Sequence, residues 1–535
     1  MINFKDSLTS FIYWANNEPN KPFLKQPIGD DYITFTYGES LDIVKRLSNY
    51  LISNYEKIQH VGILSKNSAY WILSDLAIMM SGGVSVPLYA TLNSEQVNQI
   101  LNHGDCDMVF LGKLDGFDEI WEGIDKKFKI ITTPDAAKQS ENNWEKIIKE
   151  TKPKFGRRSI PKTDILSIIY TSGTTGNPKG VMINQASVTS AINTAWDIAF
   201  LGQSGNRFIS YLPLCHIAER DFVEFASLAC GGTIYFVESL DTFEKNLKAA
   251  SPTHFLAVPR IWQKFKEGIL KKLGSEKRVD TLLSIPILSS ILKGVVRKNL
   301  GLKNAKITIS GAAKLPKDIV TFFMKFGIVI QEAYGMTENL GLTTFMRKDR
   351  FKLGTVGQAW DICEIKIDSK SGEILMKGPN LMVGYYKEKK MTTSMYDKTW
   401  LKTGDIGSID HEGYLSIEGR VKDQFKTSKG MYVSPNALEE IILKDEIIEQ
   451  AIVLGNNLPQ PIALVRLNEK GLSLSKSEIE NRIEEIRKSV NTKVKKYENL
   501  DSIRVVEEEW SIENGFLTPT LKMKRMFFDQ YYSKL

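Results

Sequence analysis

Cysteine is scarce in this chain. Its 535 residues include four, Cys106, Cys215, Cys230 and Cys363, scattered with no CxxC pair. That pattern argues against a disulfide framework or a zinc site and for a reducing cytoplasm. Long apolar runs are missing too: none has the length to span a bilayer. The opening Met-Ile-Asn-Phe-Lys-Asp lacks the basic-then-apolar pattern of a secretory signal. A strong excess of one charge is absent, with 70 Lys and Arg against 63 Asp and Glu, a net +7. So mild an excess suits anionic ligands such as nucleotides and is too weak to argue for nucleic acid. What remains is ordinary globular composition in a chain too long for one core, so two or more domains are expected.

Residues 1–160 alternate between helical and strand patterns, the mark of α/β architecture with a largely parallel sheet. Apolar residues fall at helical spacing from Leu41 to Leu51, and His60–Leu64 reads as a short buried strand. Trp71–Met80 reads as a buried helix closed by Gly82-Gly83 before the strand Val84–Leu88. Asn93 or Ser94 caps a helix to Leu101, and Met108–Leu111 is the next strand. None of this shows chemistry directly.

Chemistry enters at residues 170–180, Tyr-Thr-Ser-Gly-Thr-Thr-Gly-Asn-Pro-Lys-Gly, which follow the β-branched run Asp164–Tyr170. Gly173, Gly176 and Gly180 let several backbone N–H groups converge on one anion. Ser172, Thr174 and Thr175 add hydroxyl donors, and Lys179 adds a point charge. The spacing is not that of the common P-loop. The whole stretch resembles the phosphate loop of the adenylate-forming superfamily, which includes acyl-CoA synthetases, luciferases and peptide-synthetase adenylation domains.

Further stretches carry the same resemblance in order. Leu212-Pro-Leu-Cys-His-Ile-Ala-Glu-Arg220 sets His216 and an ion-pair-capable Glu219/Arg220 in an apolar context. By composition His216 reads as a core histidine; by resemblance to long-chain acyl-CoA synthetases it lies beside the acyl carboxylate and the α-phosphate. Thr253–Lys264, with Val258-Pro-Arg260, resembles a segment linking the family's sheets. Lys306–Ala313 is a strand and a small-residue turn, where a flat ring can approach the backbone. The resemblance makes Gly311, Ala312 and Ala313 the adenine-side loop. Gln331-Glu-Ala-Tyr-Gly-Met-Thr-Glu338 ends a strand in a hydroxyl and a carboxylate. Glu338 suits magnesium, which takes one or two hard protein oxygens plus phosphate oxygens, and Thr337 can donate to a phosphate. By resemblance Gln331, Glu332, Ala333, Tyr334 and Gly335 line the nucleotide, and Thr171 also approaches the metal.

Asp405, in Trp400–Gly407, reads either as an Asx turn or as a carboxylate accepting from a ribose diol. The family also uses an arginine there, carried over to Arg420. From Val421 the texture turns polar, and the resemblance puts a hinge on Lys422 with Lys426 near the nucleotide. Ser434 and Pro435 are expected to cap and open a helix to Leu443. A charged helix, Lys476–Lys495, reads as a solvated face. Finally Leu517-Thr-Pro-Thr-Leu-Lys-Met-Lys-Arg525 closely resembles the catalytic lysine loop of long-chain acyl-CoA synthetases, which falls on Lys522.

The resemblance thus spans nearly the full chain and implies a fold: a large N-terminal domain, 1–420, of parallel and mixed sheets covered by helices, a hinge at 421–426, and a small mobile C-terminal α+β domain, 427–535. It implies an acid–thiol ligase using ATP, Mg2+ and coenzyme A to activate a fatty acid, as monomer or homodimer. Two other readings stand beside it, a fatty acyl-AMP ligase that loads a carrier protein and a catalytically silent acyl-binding homologue. Residues 281–300 are apolar with a basic tail and read either as a membrane-surface helix or as a packed core helix.

Overall fold

Two sheets organise the large unit, with the helix Ala69–Ser81 touching strands of both, and the strand patterns above account for much of the first sheet and two strands of the second. The structure, a computed structural model, describes residues 4–54, 60–171, 179–511, 514–517 and 523–532. It divides into two compact units, one comprising 1–173, 178–365 and 376–399, the other 174–177, 366–375 and 400–535.

In one sheet of the first unit, His60–Leu64 lies between Val84–Leu88 and Cys106–Leu111, with Ile165–Thr171 and Lys129–Thr132 outside them, all parallel. Lys179–Asn184 then adds antiparallel to Ile165–Thr171, and Gly384–Tyr385 adds antiparallel to Lys179–Asn184. The other sheet runs in parallel through Thr233–Phe236, Arg207–Ser210, His254–Ala257, Ile307–Ser310 and Ile330–Tyr334. Most residues of these central strands are buried, polar ones such as Ser210, Thr308 and Gln331 included.

The helix Ala69–Ser81 shows how local chemistry and packing agree. Ser68 accepts from the Trp71 N–H at its start, and Gly82 ends it in the left-handed conformation at φ 91°. Every residue from Trp71 to Met80 is buried, because the helix touches strands of both sheets. A helix apolar all round belongs in such a place. Asn93 rather than Ser94 caps the helix Ser94–His103, in a reciprocal arrangement with Gln96.

All four cysteines are free and buried. Among the described residues no helix is long and apolar enough to cross a membrane.

The second unit has the hairpin Trp400–Ile409 with Leu415–Arg420, and a sheet in which Ile462–Leu467 pairs antiparallel with Ile448–Leu454 and parallel with Ser502–Val505. The helices Pro435–Ile442 and Lys476–Asn491 supply Leu438, Ile442, Ile483, Ile486 and Val490 to its core. Two expectations change here. The Ser434 side chain makes no cap bond; its hydroxyl accepts from Gln424 Nε2 at 3.0 Å instead. The charged helix ends at Asn491, and a short 3-10 turn, Lys496–Glu498, follows.

Candidate active site

The ends of parallel strands carry the chemistry, where backbone groups are left unpaired and loops can close over a ligand. Ile165–Thr171 and Lys179–Asn184 pair in register, with Thr171 opposite Lys179 and Tyr170 opposite Gly180. This ladder flanks the stretch expected to grip phosphate. Ser172, Gly173, Thr174, Thr175 and Gly176 lie outside the described residues, as does Lys522.

Beside the ladder stands Glu338. It sits on a single 3-10 turn, Thr337–Asn339, with both Thr337 and Glu338 buried. The turn is pinned from two sides. Asn339 Oδ1 accepts from the Met336 N–H at 2.9 Å, and Asn380 Nδ2 donates to the Asn339 and Leu342 carbonyls at 2.8 and 2.9 Å. Gly335 is required there: a Cβ would stand 2.1 Å from the Gly341 carbonyl carbon and 2.5 Å from its Cα, contacts no side chain survives.

The Tyr385 hydroxyl donates to Glu338 Oε1 at 2.6 Å in a buried setting. Burial, and after it the Glu338 charge, holds that phenol well above its usual range, so it remains a donor. The Lys179 ammonium lies 5.8 Å from the centre of the same ring. Tyr385 pairs with Val181 on the strand that Lys179 begins. Thr171, Lys179, Tyr385 and Glu338 are therefore one cluster, assembled from three separate stretches. Sequence reasoning missed Tyr385, because a tyrosine in a short strand reads as packing.

The residues expected on the adenine side also meet. Ser310 pairs with Glu332 and Ile309 with Gln331, so Gly311, just past its own strand, lies beside Ala333, which still pairs with Phe345. A Cβ on Gly311 would come 3.3 Å from the Ala333 carbonyl oxygen, and Ala312 is held left-handed at φ 68°. Tyr334 is half-buried opposite Thr344. The Gln331 amide turns inward, donating to the Met346 carbonyl at 2.9 Å, so the strand end offers its backbone rather than this side chain.

His216 is half-buried and caps the short helix Ile217–Glu219, its Nδ1 accepting from the Ala218 N–H at 3.2 Å. An accepting Nδ1 puts the proton of the neutral ring on Nε2 and makes that atom a donor. Arg220 does not pair with Glu219. It is fully buried at the start of a π-helix, Arg220–Phe225, and it bonds Asp75, Glu224 at 3.0 Å and Ser167 Oγ at 2.7 Å. Burial works against its charge, and the two carboxylates outweigh that. Glu219 instead accepts from the Tyr211 N–H at 2.9 Å, and burial pushes its carboxyl up to about 8. Ser167 ties this network to the strand that ends at Thr171. An acid inside an apolar helix, Asp75, was the legible signal for it. The open cleft beside this segment, about 680 Å³, has Tyr211, Phe243, Ile261 and Phe265 as its apolar wall.

In the second unit Asp405 and Arg420 face each other across the hairpin, Arg420 Nε lying 3.2 Å from Asp405 Oδ1. Thr403 Oγ1 accepts from the Asp405 N–H at 3.2 Å. Lys422 is exposed in the turn after Arg420, and Lys426 lies 5.7 Å from the Tyr432 ring centre.

A family model described as AMP-binding enzyme matches residues 11–386, and one described as AMP-binding enzyme C-terminal domain matches 422–515. The chain belongs to the AMP-binding enzymes.

Its relatives within them are informative. Long-chain-fatty-acid–CoA ligase 5 of Mus musculus is 30% identical over 590 residues, covering 96% of this chain and 84% of the mouse protein. Long chain acyl-CoA synthetase 5 of Arabidopsis thaliana is 28% identical over 580 residues, covering 94% and 86%. Among solved structures, O-succinylbenzoate coenzyme A synthetase from Bacillus subtilis in complex with AMP matches with a TM-score of 0.75 at 21% identity, covering 98% of both chains. That likeness carries the AMP-binding fold: mixed sheets with helices, a large N-terminal and a small C-terminal domain.

Proposed function

We propose that this AMP-binding enzyme joins a long-chain fatty acid to coenzyme A in two steps. The observation that carries the reading is the buried Glu338–Tyr385 pair set beside the Thr171/Lys179 stem, hard oxygens and a fixed cation at one sheet edge. In the first step a fatty-acid carboxylate oxygen attacks the α-phosphorus of ATP, the bond to the bridging oxygen breaks, and pyrophosphate leaves. In the second the coenzyme A thiol, losing its proton, attacks the acyl carbon and AMP leaves.

Each predicted residue has a role in this reading. Lys179 and the loop Ser172–Gly176 hold the β- and γ-phosphates. Gly311, Ala312, Ala313 and the strand end Gln331–Gly335 take the adenine. Asp405 accepts from the ribose hydroxyls, with Arg420 beside it. His216, through Nε2–H, and Thr337 donate to the carboxylate and the α-phosphate. Lys522 supplies positive charge to the phosphoryl oxygens of the first step. Charge builds on those oxygens, so positioning and fixed donors are the main sources of rate.

Mg2+ fits the donor set present. Glu338 and Thr171 are hard oxygen ligands, and no group of three or more His, Cys, Asp or Glu able to cage a metal occurs among the described residues. When bound it would neutralise phosphate charge. The chain's own contribution is to hold Glu338 in place through Tyr385, Asn339 and Asn380.

The domains divide as 1–420 and 427–535 about a hinge at 421–426, with Lys422 the pivot and Lys426 near the nucleotide. The acyl chain lies in apolar space of the large domain. The enzyme works in the cytoplasm, in peripheral contact with the inner membrane face.

Pyrophosphate release from ATP and Mg2+ over fatty acids of increasing length, with and without coenzyme A, tests this reading. We expect release that peaks with long acids, turns over only with coenzyme A, and falls about a hundredfold in Lys522→Ala, the usual loss of one charge-stabilising group. Release indifferent to coenzyme A would replace the acceptor with a carrier-protein thiol. No release with any acid would overturn the ligase reading.

A further inference from the structure

One segment of the large unit stays outside the chemistry above. Residues 281–300 form two helices rather than one, packed on one face only. Helix Glu276–Ser284 ends before Pro286, which opens a second helix, Pro286–Asn299. The inner face of the second helix, Ser289, Leu292 and Val296, packs toward the core. Its outer face repeats apolar residues at a four-residue spacing: Ile287 is 75% exposed, Ile291 59% and Val295 47%. Ile285 and Leu288 extend the patch, at 45% and 42%. A helix apolar on both faces is normally covered on both. Scattered exposed apolar residues carry no message, but a contiguous strip of five does.

Charge says what covers it. Residues 271–300 hold seven Lys or Arg against two acids, Glu276 and Asp280, a local +5 out of a net +7 for the chain. Both acids are engaged, Glu276 with Lys266 and Asp280 with Lys325. Lys271, Lys272, Lys277 and Arg278 are exposed on the stretch that leads into this helix, and exposed Lys298 continues the strip's line one turn past Val295. An apolar helix face rimmed by cations matches an anionic bilayer surface, where side chains enter the acyl boundary and cations meet headgroups.

We propose that the outer face of the helix Pro286–Asn299, with the basic residues flanking it, is the surface by which this protein docks on an anionic lipid bilayer. The proposal rests on the peripheral contact inferred above and names the surface that makes it. The helix Pro259–Leu273, which ends in Lys271 and Lys272, also contributes Ile261 and Phe265 to the wall of the cleft near Tyr211. Docking therefore sets that cleft's wall helix at the lipid surface that holds the protein.

The test is cosedimentation of the full chain with vesicles of equimolar phosphatidylglycerol and phosphatidylcholine, or of phosphatidylcholine alone, without ATP or acid. Failure of the ligase reading leaves this measurement untouched. We expect binding to the anionic vesicles that weakens with salt. Ile287→Asp with Ile291→Asp should reduce the partition coefficient at least about tenfold while the thermal unfolding midpoint holds, since both side chains are exposed. Lys271→Glu, Lys272→Glu and Lys298→Glu together provide an independent variant, each lost cation alone weakening binding about fivefold. Wild-type protein that ignores anionic vesicles overturns the contact itself. Both variants binding like the wild type overturn this surface while keeping the contact. A wild-type dimer that Ile287→Asp and Ile291→Asp split, with no vesicle binding, assigns the strip to a second copy of the chain and overturns the proposal.

Discussion

Replacing Tyr385 with phenylalanine removes one oxygen atom and little else. The ring remains on its strand, and so does the face near Lys179. What is lost is a 2.6 Å hydrogen bond to Glu338 Oε1, with both residues buried. A hydrogen bond to a charged group contributes about 1.5–3 kcal/mol net. At about 1.4 kcal/mol per decade this is about 10- to 150-fold in an equilibrium or a rate. If Tyr385 holds Glu338 in a metal-bearing orientation, that factor belongs in the Mg2+ dependence of the reaction. Initial rates of pyrophosphate release against free Mg2+, at fixed ATP and acid, should show half-saturation moved up at least about tenfold, with the fatty-acid KM little changed. Thermal unfolding of the same variant supplies the contrast. A lowered midpoint with an unmoved Mg2+ curve would mean that the hydroxyl only stabilises the fold, and the positioning argument would be refuted.

Three further outcomes follow from the same geometry. Gly335→Ala drives a methyl into the Gly341 backbone, so about 1–3 kcal/mol of stability and most activity should be lost; Gly268→Ala, with nothing within 4 Å, should be neutral or up to about 1 kcal/mol stabilising in denaturant titrations. Arg220→Met breaks a fully buried ion pair with Asp75 and should cost about 3–5 kcal/mol, a loss partly recovered when Asp75→Asn is added; an unchanged unfolding midpoint would contradict the network. Asp221 is buried, and its carboxyl is pushed from 3.8 up to about 8, so the folded state holds the proton more tightly. This group's contribution is fully present below pH 3.8 and is lost at about 1.4 kcal/mol per pH unit as pH rises toward 8. Asp221→Asn should therefore gain stability relative to wild type across that window, and a flat difference would show that the carboxyl titrates normally.

Much of this protein was already set by the chain on its own. The apolar run Trp71–Met80 with Ser68 before it and Gly82 after it reads as a helix, since the run and both stops lie within fifteen residues. The strand-then-glycine stretches at 164–180, 306–313 and 328–338 likewise announce strands ending in loops. Local propensity and turn chemistry act over a few residues, so a sequence displays them.

Partners distant along the chain are another matter. Glu338 and Tyr385 are 47 residues apart, and Arg220 and Asp75 are 145 apart. Nothing in either stretch names the other, because a hydroxyl or a carboxylate carries no mark of what will face it. Ser434 shows the same limit at short range: its place predicts a cap, yet Gln424 reaches the hydroxyl instead. The segment 281–300 shows it at the surface, where an apolar pattern alone cannot distinguish a covered face from an open one. Sequence determined which elements form and which residues stand at their ends; only tertiary packing decided which of those residues meet, because burial and distance are properties of the assembled chain.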